Sequence, residues 1–290
     1  MAVTDRAVPV RGITLADAWR SFRTAIGLGW AIEANWSDPF LFAVYTMAKP
    51  LAAAGILVVM FQVITQGQNP EFLQFLIVGS ALWNVVFGVM SGLVQSILED
   101  RERYRMMKYV VVTPSSLFPF LLGRSLARVL LSFVAVVLTM AVGVVFLGVD
   151  LRPNLLYLVP ATVIGVLAVM ALGVFMAGWC LQLRQEAWHY PEAIAGALYL
   201  TSGAIFPIDI LPSYLHPIAY ASPTTWWLEA SRRGLLGHGS PGVIGGLSDG
   251  TVMLFLAVST AIVIPVGLAA FAWFMKRARQ SGLLDMVTGS

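Results

Sequence analysis

The chain has 290 residues, of which 58% are hydrophobic and only 11% charged, where a soluble domain carries roughly 25% charged residues. A water-soluble surface cannot be built from so few charges. The net charge of +3 does not point to nucleic acid either, because the basic residues sit beside long apolar stretches, as a topology signal does; the fold class this implies is all-α, a polytopic membrane protein.

The first segment, residues 1–38, does not read as a cleaved signal peptide, because Arg6, Arg11, Arg20 and Arg23 interrupt any apolar core. The N-terminus is expected to stay on the mature chain. Thr14 and Asp17 have capping-box spacing, with aspartate in place of glutamate. Leu15, Trp19, Phe22, Ile26 and Trp30 then recur at helical intervals, with Asp17, Ser21, Thr24 and Asn35 roughly opposite and Leu28 breaking the pattern. This predicts an amphipathic helix lying in the membrane interface. A helix packed on the rest of the protein is the alternative.

Residues 39–290 form the membrane domain, with six apolar segments: Pro39–Ile64, Phe72–Leu98, Phe118–Leu147, Leu155–Leu181, Trp188–Phe206 and Thr251–Met275. Each is long enough to cross a hydrocarbon core of roughly 30 Å at about 1.5 Å per residue. An even number of spans puts both termini on one side. Fourteen Lys and Arg residues, among them Arg103, Arg128, Arg184 and Lys276, flank that side, against Arg152, Arg232 and Arg233 on the other. The asymmetry makes the termini cytoplasmic.

Lys49 falls about ten residues into the first span and is followed by Pro50. A charge at that depth either snorkels to the interface or lines a translocation path, and both readings stay open. Gly88 and Gly92 give one G-x-x-x-G, a weak sign of close helix contact.

Between the second and third spans, Glu99, Asp100, Arg101, Glu102, Arg103, Arg105 and Lys108 place seven charges in ten residues. Such a run must lie outside the hydrocarbon. Met106, Met107 and Tyr109 give it an apolar side, and Thr113-Pro114 forms an N-cap with proline at the first helical position. The segment 99–114 therefore predicts a short amphipathic helix on the cytoplasmic face, the alternative being a plain charged loop.

Cys180 reads as a small packing residue within a span. Glu186, His189 and Glu192 lie close in sequence, but Pro191 starts a helix there and the three need not share a face; no metal site is expected. The outer region 207–237 is apolar yet holds Pro207, Pro212, Pro217 and Pro223, so it cannot be one helix. Ser222-Pro223 reads as a helix start, and Gly234 and Gly237 as places to stop. A re-entrant helical hairpin follows, with Trp226 and Trp227 as anchors at the membrane boundary. A surface loop is the alternative.

No G-x-x-x-x-G-K-[ST] phosphate loop, G-x-S-x-G or H-E-x-x-H occurs, so a nucleotide-driven motor would have to act from another chain. Here the sequence resembles the type-2 permease family of ATP-binding cassette (ABC) transporters, exporters of drugs, lipids and polysaccharides. The resemblance rests on Glu99 to Arg103, Thr113-Pro114, Gly123-Arg124, Ser202-Gly203 with Pro207, Leu211-Pro212, and Ser222-Pro223 with Glu229. Arg105 and Met106 stand where many members have Gly-Thr, a departure that leaves the subfamily and cargo open.

The resemblance implies six spans, an interfacial N-terminal helix, a cytoplasmic coupling helix and outer re-entrant helices, assembled as two permeases with two ATPase subunits. ATP and magnesium would belong to the partner ATPase, with no cofactor in this chain and no nucleic acid. Coupling would fall to Glu99, Asp100, Arg101, Glu102, Arg103, Met106, Met107, Tyr109, Thr113 and Pro114. An outer gate would be built from Pro207, Pro212, Pro217, Pro223, Trp226, Trp227 and Glu229. Two other classes stay in view: an intramembrane lipid-modifying enzyme using Glu186 and His189, and a passive channel or assembly subunit.

Overall fold

The computed structural model describes residues 15–34, 38–65, 70–105, 117–183, 187 and 189–283, and among these the secondary structure is helical throughout. In chain order the helices are α1 (Leu15–Ala34), α2 (Pro39–Thr65), α3 (Pro70–Leu98), α4 (Leu117–Leu147), α5 (Leu155–Cys180), α6 (His189–Thr201), α7 (His216–Ala221), α8 (Pro223–Leu236) and α9 (Asp249–Gln280).

Among the described residues, four helical stretches are long and apolar enough to cross a membrane: Glu71–Arg103, Phe118–Leu147, Leu155–Cys180 and Asp249–Gln280. These are the second, third, fourth and sixth predicted spans. The first predicted span corresponds to α2, a helix of 27 residues. The fifth departs from expectation. It is helical for only 13 residues, α6, which reach roughly 20 Å at the α-helical rise. Helix α6 gives way at Ser202-Gly203, where Gly203 adopts φ of +74°, a conformation that costs other residues far more.

Helix α3 is the centre of the bundle. Leu76, Ile77, Val78, Ala81, Val86, Val89 and Ile97 are all buried, and at about 3.6 residues per turn they are spread around the whole axis. A helix apolar all round is one covered all round, and α3 packs against α2, α4, α5 and α8. Helix α5 lies between α3 and α9 and also carries α8.

Helix α1 docks along α4. The contact uses the small residues of α1: Ala25 is fully buried, a Cβ on Gly29 would run into the Arg124 carbonyl, and one on Gly123 would run into the Phe22 carbonyl. The two backbones therefore touch through a glycine on each side, the close approach that small residues permit. Of the predicted apolar stripe, Leu15, Trp19 and Trp30 remain exposed. So α1 packs on the protein by one side and presents aromatic residues on another.

Helix α8 starts at Pro223 and ends at Gly237, whose φ is +79° and whose N–H bonds the Arg233 carbonyl. It runs through Gly234, which packs closely on Leu158 of α5. Ser222 stands in extended conformation before Pro223, and its hydroxyl bonds the Thr224 hydroxyl at 2.6 Å rather than capping the backbone.

Candidate functional site

Two clusters of buried charge stand out, one at each end of the bundle. The first forms where α3 runs out. Its last turn, Glu99–Arg103, widens into a π-helical turn closed by the Tyr104 N–H on the Glu99 carbonyl at 2.8 Å. Widened turns of this kind are frequent at functional sites.

The Glu99 carboxylate accepts from two arginines one turn apart on α4. Arg124 Nη2 donates to Oε2 at 3.0 Å and Arg128 Nη2 to Oε1 at 2.7 Å. Arg128 also pairs through Nε with Glu33 at the end of α1, at 2.5 Å. Asp100, fully buried, lies 3.6 Å from Arg124 Nε. This is close enough for charge pairing and too long for a good hydrogen bond. Arg101 is buried as well, donating to the Leu181 carbonyl at 3.4 Å just past α5 and pairing with Glu102. One knot of charge thus ties together α1, α3, α4 and the end of α5.

This arrangement corrects the orientation expected of the charged run. Glu99, Asp100 and Arg101 point into the protein instead of outward. Arg103, Tyr104 and Arg105 are exposed, with the Arg103 guanidinium 5.7 Å from the Tyr104 ring centre, and Glu102 is half-buried. The reason is pairing across sequence distance: Arg124 and Arg128 share a face of α4 by their four-residue spacing and offer partners that a local reading of residues 99–108 does not contain. Met106, Met107, Tyr109, Thr113 and Pro114 lie outside the described residues.

At the opposite end, Pro207 and Pro212 each precede a 3₁₀ turn, Ile208–Ile210 and Ser213–Leu215. Pro217 sits in the first turn of α7, and Pro223 opens α8. Trp226 and Trp227 are buried rather than placed as boundary anchors. Trp226 donates to the Tyr220 carbonyl at 2.8 Å and stacks on Phe255 of α9 at 4.6 Å. The Trp227 ring lies against Gly165 of α5, where no Cβ could fit. A buried indole finds its surroundings in neighbouring helices, and a pattern of two aromatics beside prolines does not distinguish that from lipid.

Glu229 is buried and accepts from Arg233 Nε at 2.8 Å and from the Ser240 N–H at 3.2 Å, with the Ser240 hydroxyl as a further donor. Arg233 continues to the Leu247 carbonyl at 2.7 Å and to Asp249 at 2.8 Å, the first residue of α9. Arg232 reaches the other way. It donates to the Gly203 carbonyl at 2.7 Å and the Ala204 carbonyl at 3.0 Å, with its guanidinium carbon 3.8 Å from the Phe75 ring centre. The backbone break after α6 is thus fastened to α8 and α3. A cavity of about 20 Å³ beside Ser202, Thr225, Glu229 and Arg232 has room for about one water molecule.

Arg232 and Arg233 entered the sequence reading as topology markers alone. Two consecutive arginines within an apolar, proline-rich region were the available sign that they hold structure together. His189 and Glu192 lie in the first turn of α6 and are exposed, while Glu186 lies outside the described residues. Lys49 falls within α2, and its side chain also lies outside the described residues.

Residues 28–236, more than two thirds of the chain, match the family model described as ABC-2 type transporter. The match begins within α1, ends with α8 and takes in the inner charge cluster together with Glu229, Arg232 and Arg233 of the outer one. A search of curated proteins found no match.

Proposed function

Starting from the fact that this chain belongs to the ABC-2 type transporter family, as a multi-pass permease subunit of an ABC transporter, we propose that it works as an exporter driven by a separate ATPase. Two ATPase subunits carrying ATP and magnesium would act on two permeases, the second identical or paralogous. The site would be the cell membrane, inner or plasma, with six spans and both termini cytoplasmic. The cargo would be amphipathic, a lipid or lipid-linked molecule moving outward from the cytoplasm or inner leaflet, since few charges lie within the apolar segments to serve an ion.

The observation that carries this reading is the double grip of Arg124 and Arg128 on Glu99. It roots Glu99–Arg103 in α1 and α4, so that a partner pressing on the exposed Arg103 and Tyr104 would move three helices together. Glu102, Met106, Met107, Tyr109, Thr113 and Pro114 complete the docking surface in this proposal, with Glu99, Asp100 and Arg101 as its internal anchor. At the other end, Pro207, Pro212, Pro217, Pro223, Trp226, Trp227 and Glu229 form the outer gate, and Lys49 is the residue of α2 proposed for the path.

Site-directed crosslinking tests the coupling role. Cysteines introduced as R103C and Y104C in a C180A background should crosslink to a copurifying ATPase, and R152C should not. An ATPase that copurifies and crosslinks at neither R103C nor Y104C would overturn the assignment.

A further inference from the structure

The C-terminal half of α9 carries a stripe that the rest of the fold leaves open. Leu268, Phe271, Met275, Lys276 and Arg279 recur at three- and four-residue intervals along it. Together with Phe118 from the start of α4 they line a groove of about 450 Å³. Phe118 and Phe271 meet edge to face at 6.5 Å and form its floor, with Phe271 and Met275 buried beneath it. From Leu268 to Arg279 the stripe runs roughly 16 Å at the α-helical rise. That is about the depth of one leaflet's hydrocarbon.

The charge is confined to one end. Lys276 and Arg279 are exposed, and neither forms an ion pair among the described residues. Because α9 is long and apolar enough to cross a membrane and Lys276 and Arg279 lie in its last turns, past its apolar run, these two cations fall at headgroup level when it does so. An apolar channel one leaflet deep that ends in two cations with no ion pair among the described residues complements one molecule: an anionic phospholipid of the surrounding leaflet.

We propose that this groove is a binding site for an anionic phospholipid, with an acyl chain along Leu268 and Phe271 and the phosphate between Lys276 and Arg279. Arg279 can grip the phosphate with two parallel N–H donors, and Lys276 adds a point charge. The carbonyls at the end of α9 carry partial negative charge, so the phosphate sits at the side-chain tips, away from the helix axis. Arg277 provides an internal control: its guanidinium lies 5.5 Å from the Trp273 ring centre, on another face of the helix.

Native mass spectrometry of the detergent-purified full chain tests the site, using phosphatidylglycerol and phosphatidylcholine with the same acyl chains. The wild type should retain phosphatidylglycerol in preference to phosphatidylcholine. K276Q/R279Q should lower that preference about thirtyfold, or about fivefold per cation, while R277Q should leave it within about twofold. L268W, which fills the groove without changing charge, should reduce retention of both lipids. Each variant should elute from size exclusion as the wild type does, and one that does not is replaced by K276A/R279A or L268F. Four results would overturn the proposal: no preference in the wild type, as when the chain's own residues fill the groove; an unchanged preference in K276Q/R279Q; an equal loss in R277Q, which marks diffuse interfacial charge; or displacement of the lipid by equimolar inorganic phosphate.

Discussion

Arg124 and Glu99 meet across the contact of α3 with α4 at 3.0 Å, and the arginine side chain has no exposure to solvent or lipid. Buried pairs of this kind add little net stability against a hydrophobic replacement, yet losing one partner is costly because it strands the other charge. Arg124→Met should therefore destabilise the protein by about 3–5 kcal/mol, read as a lowered Tm in detergent. The triple variant E99M/D100N/R124M should recover most of the loss. An equally low Tm in the triple variant would show that packing, rather than stranded charge, governs the site.

The outer cluster makes a separate prediction through Arg232, which holds the Gly203 and Ala204 carbonyls. Hydrogen bonds from a charged donor contribute about 1.5–3 kcal/mol. Arg232→Met should loosen the segment after α6, so that a cysteine introduced as A204C in a C180A background, fully buried at the Ala204 position, becomes reactive to a small thiol reagent. Equal labelling rates with and without Arg232 would mean that this segment is held by other contacts.

Topology can be read from both ends of the bundle. The Arg152 N–H donates to the Leu235 carbonyl at 2.8 Å, which places Arg152 at the C-terminal end of α8. With the termini proposed as cytoplasmic, R152C and H238C should label from outside intact cells, and R103C and K276C only after permeabilisation. Labelling of R152C from the cytoplasmic side alone would invert the orientation.

Gly165 lies against the Trp227 ring, whereas Gly196 has open space where its Cβ would be. Overpacking of this kind costs about 1–3 kcal/mol. Gly165→Ala should lower thermal stability by an amount in that range, and Gly196→Ala should be neutral or slightly stabilising because alanine favours a helix. If both variants behaved alike, α8 would not be seated on α5 as the structure has it.

The membrane helices were the legible part of the sequence. Phe118–Leu147 and Leu155–Leu181 were expected, and helices over Leu117–Leu147 and Leu155–Cys180 are found, because apolar runs of this length have one solution in lipid. What residues 99–103 face was not legible. Their partners Arg124 and Arg128, and Glu33 which pairs with Arg128, come from two other helices, and a run of alternating charge looks the same whether it meets water or its own counterions. Trp226 and Trp227 misled for a related reason: an indole suits a membrane boundary and a helix interface equally well, and only Phe255 beside Trp226 and the gap at Gly165 beside Trp227 decide between them. The short α6 was hidden by composition, since its apolar character continues past the break at Gly203.

The glycine contact between α1 and α4 also sets an order of events during synthesis. Gly29 leaves the ribosome 95 residues before Arg124, whose carbonyl it faces. At roughly 5–20 residues per second, α1 waits on the order of 5–20 s for its partner. Through that interval Trp19 and Trp30 are available to hold the helix at the bilayer surface. The close backbone contact of α1 therefore forms only once α4 has been made, well after α1 itself.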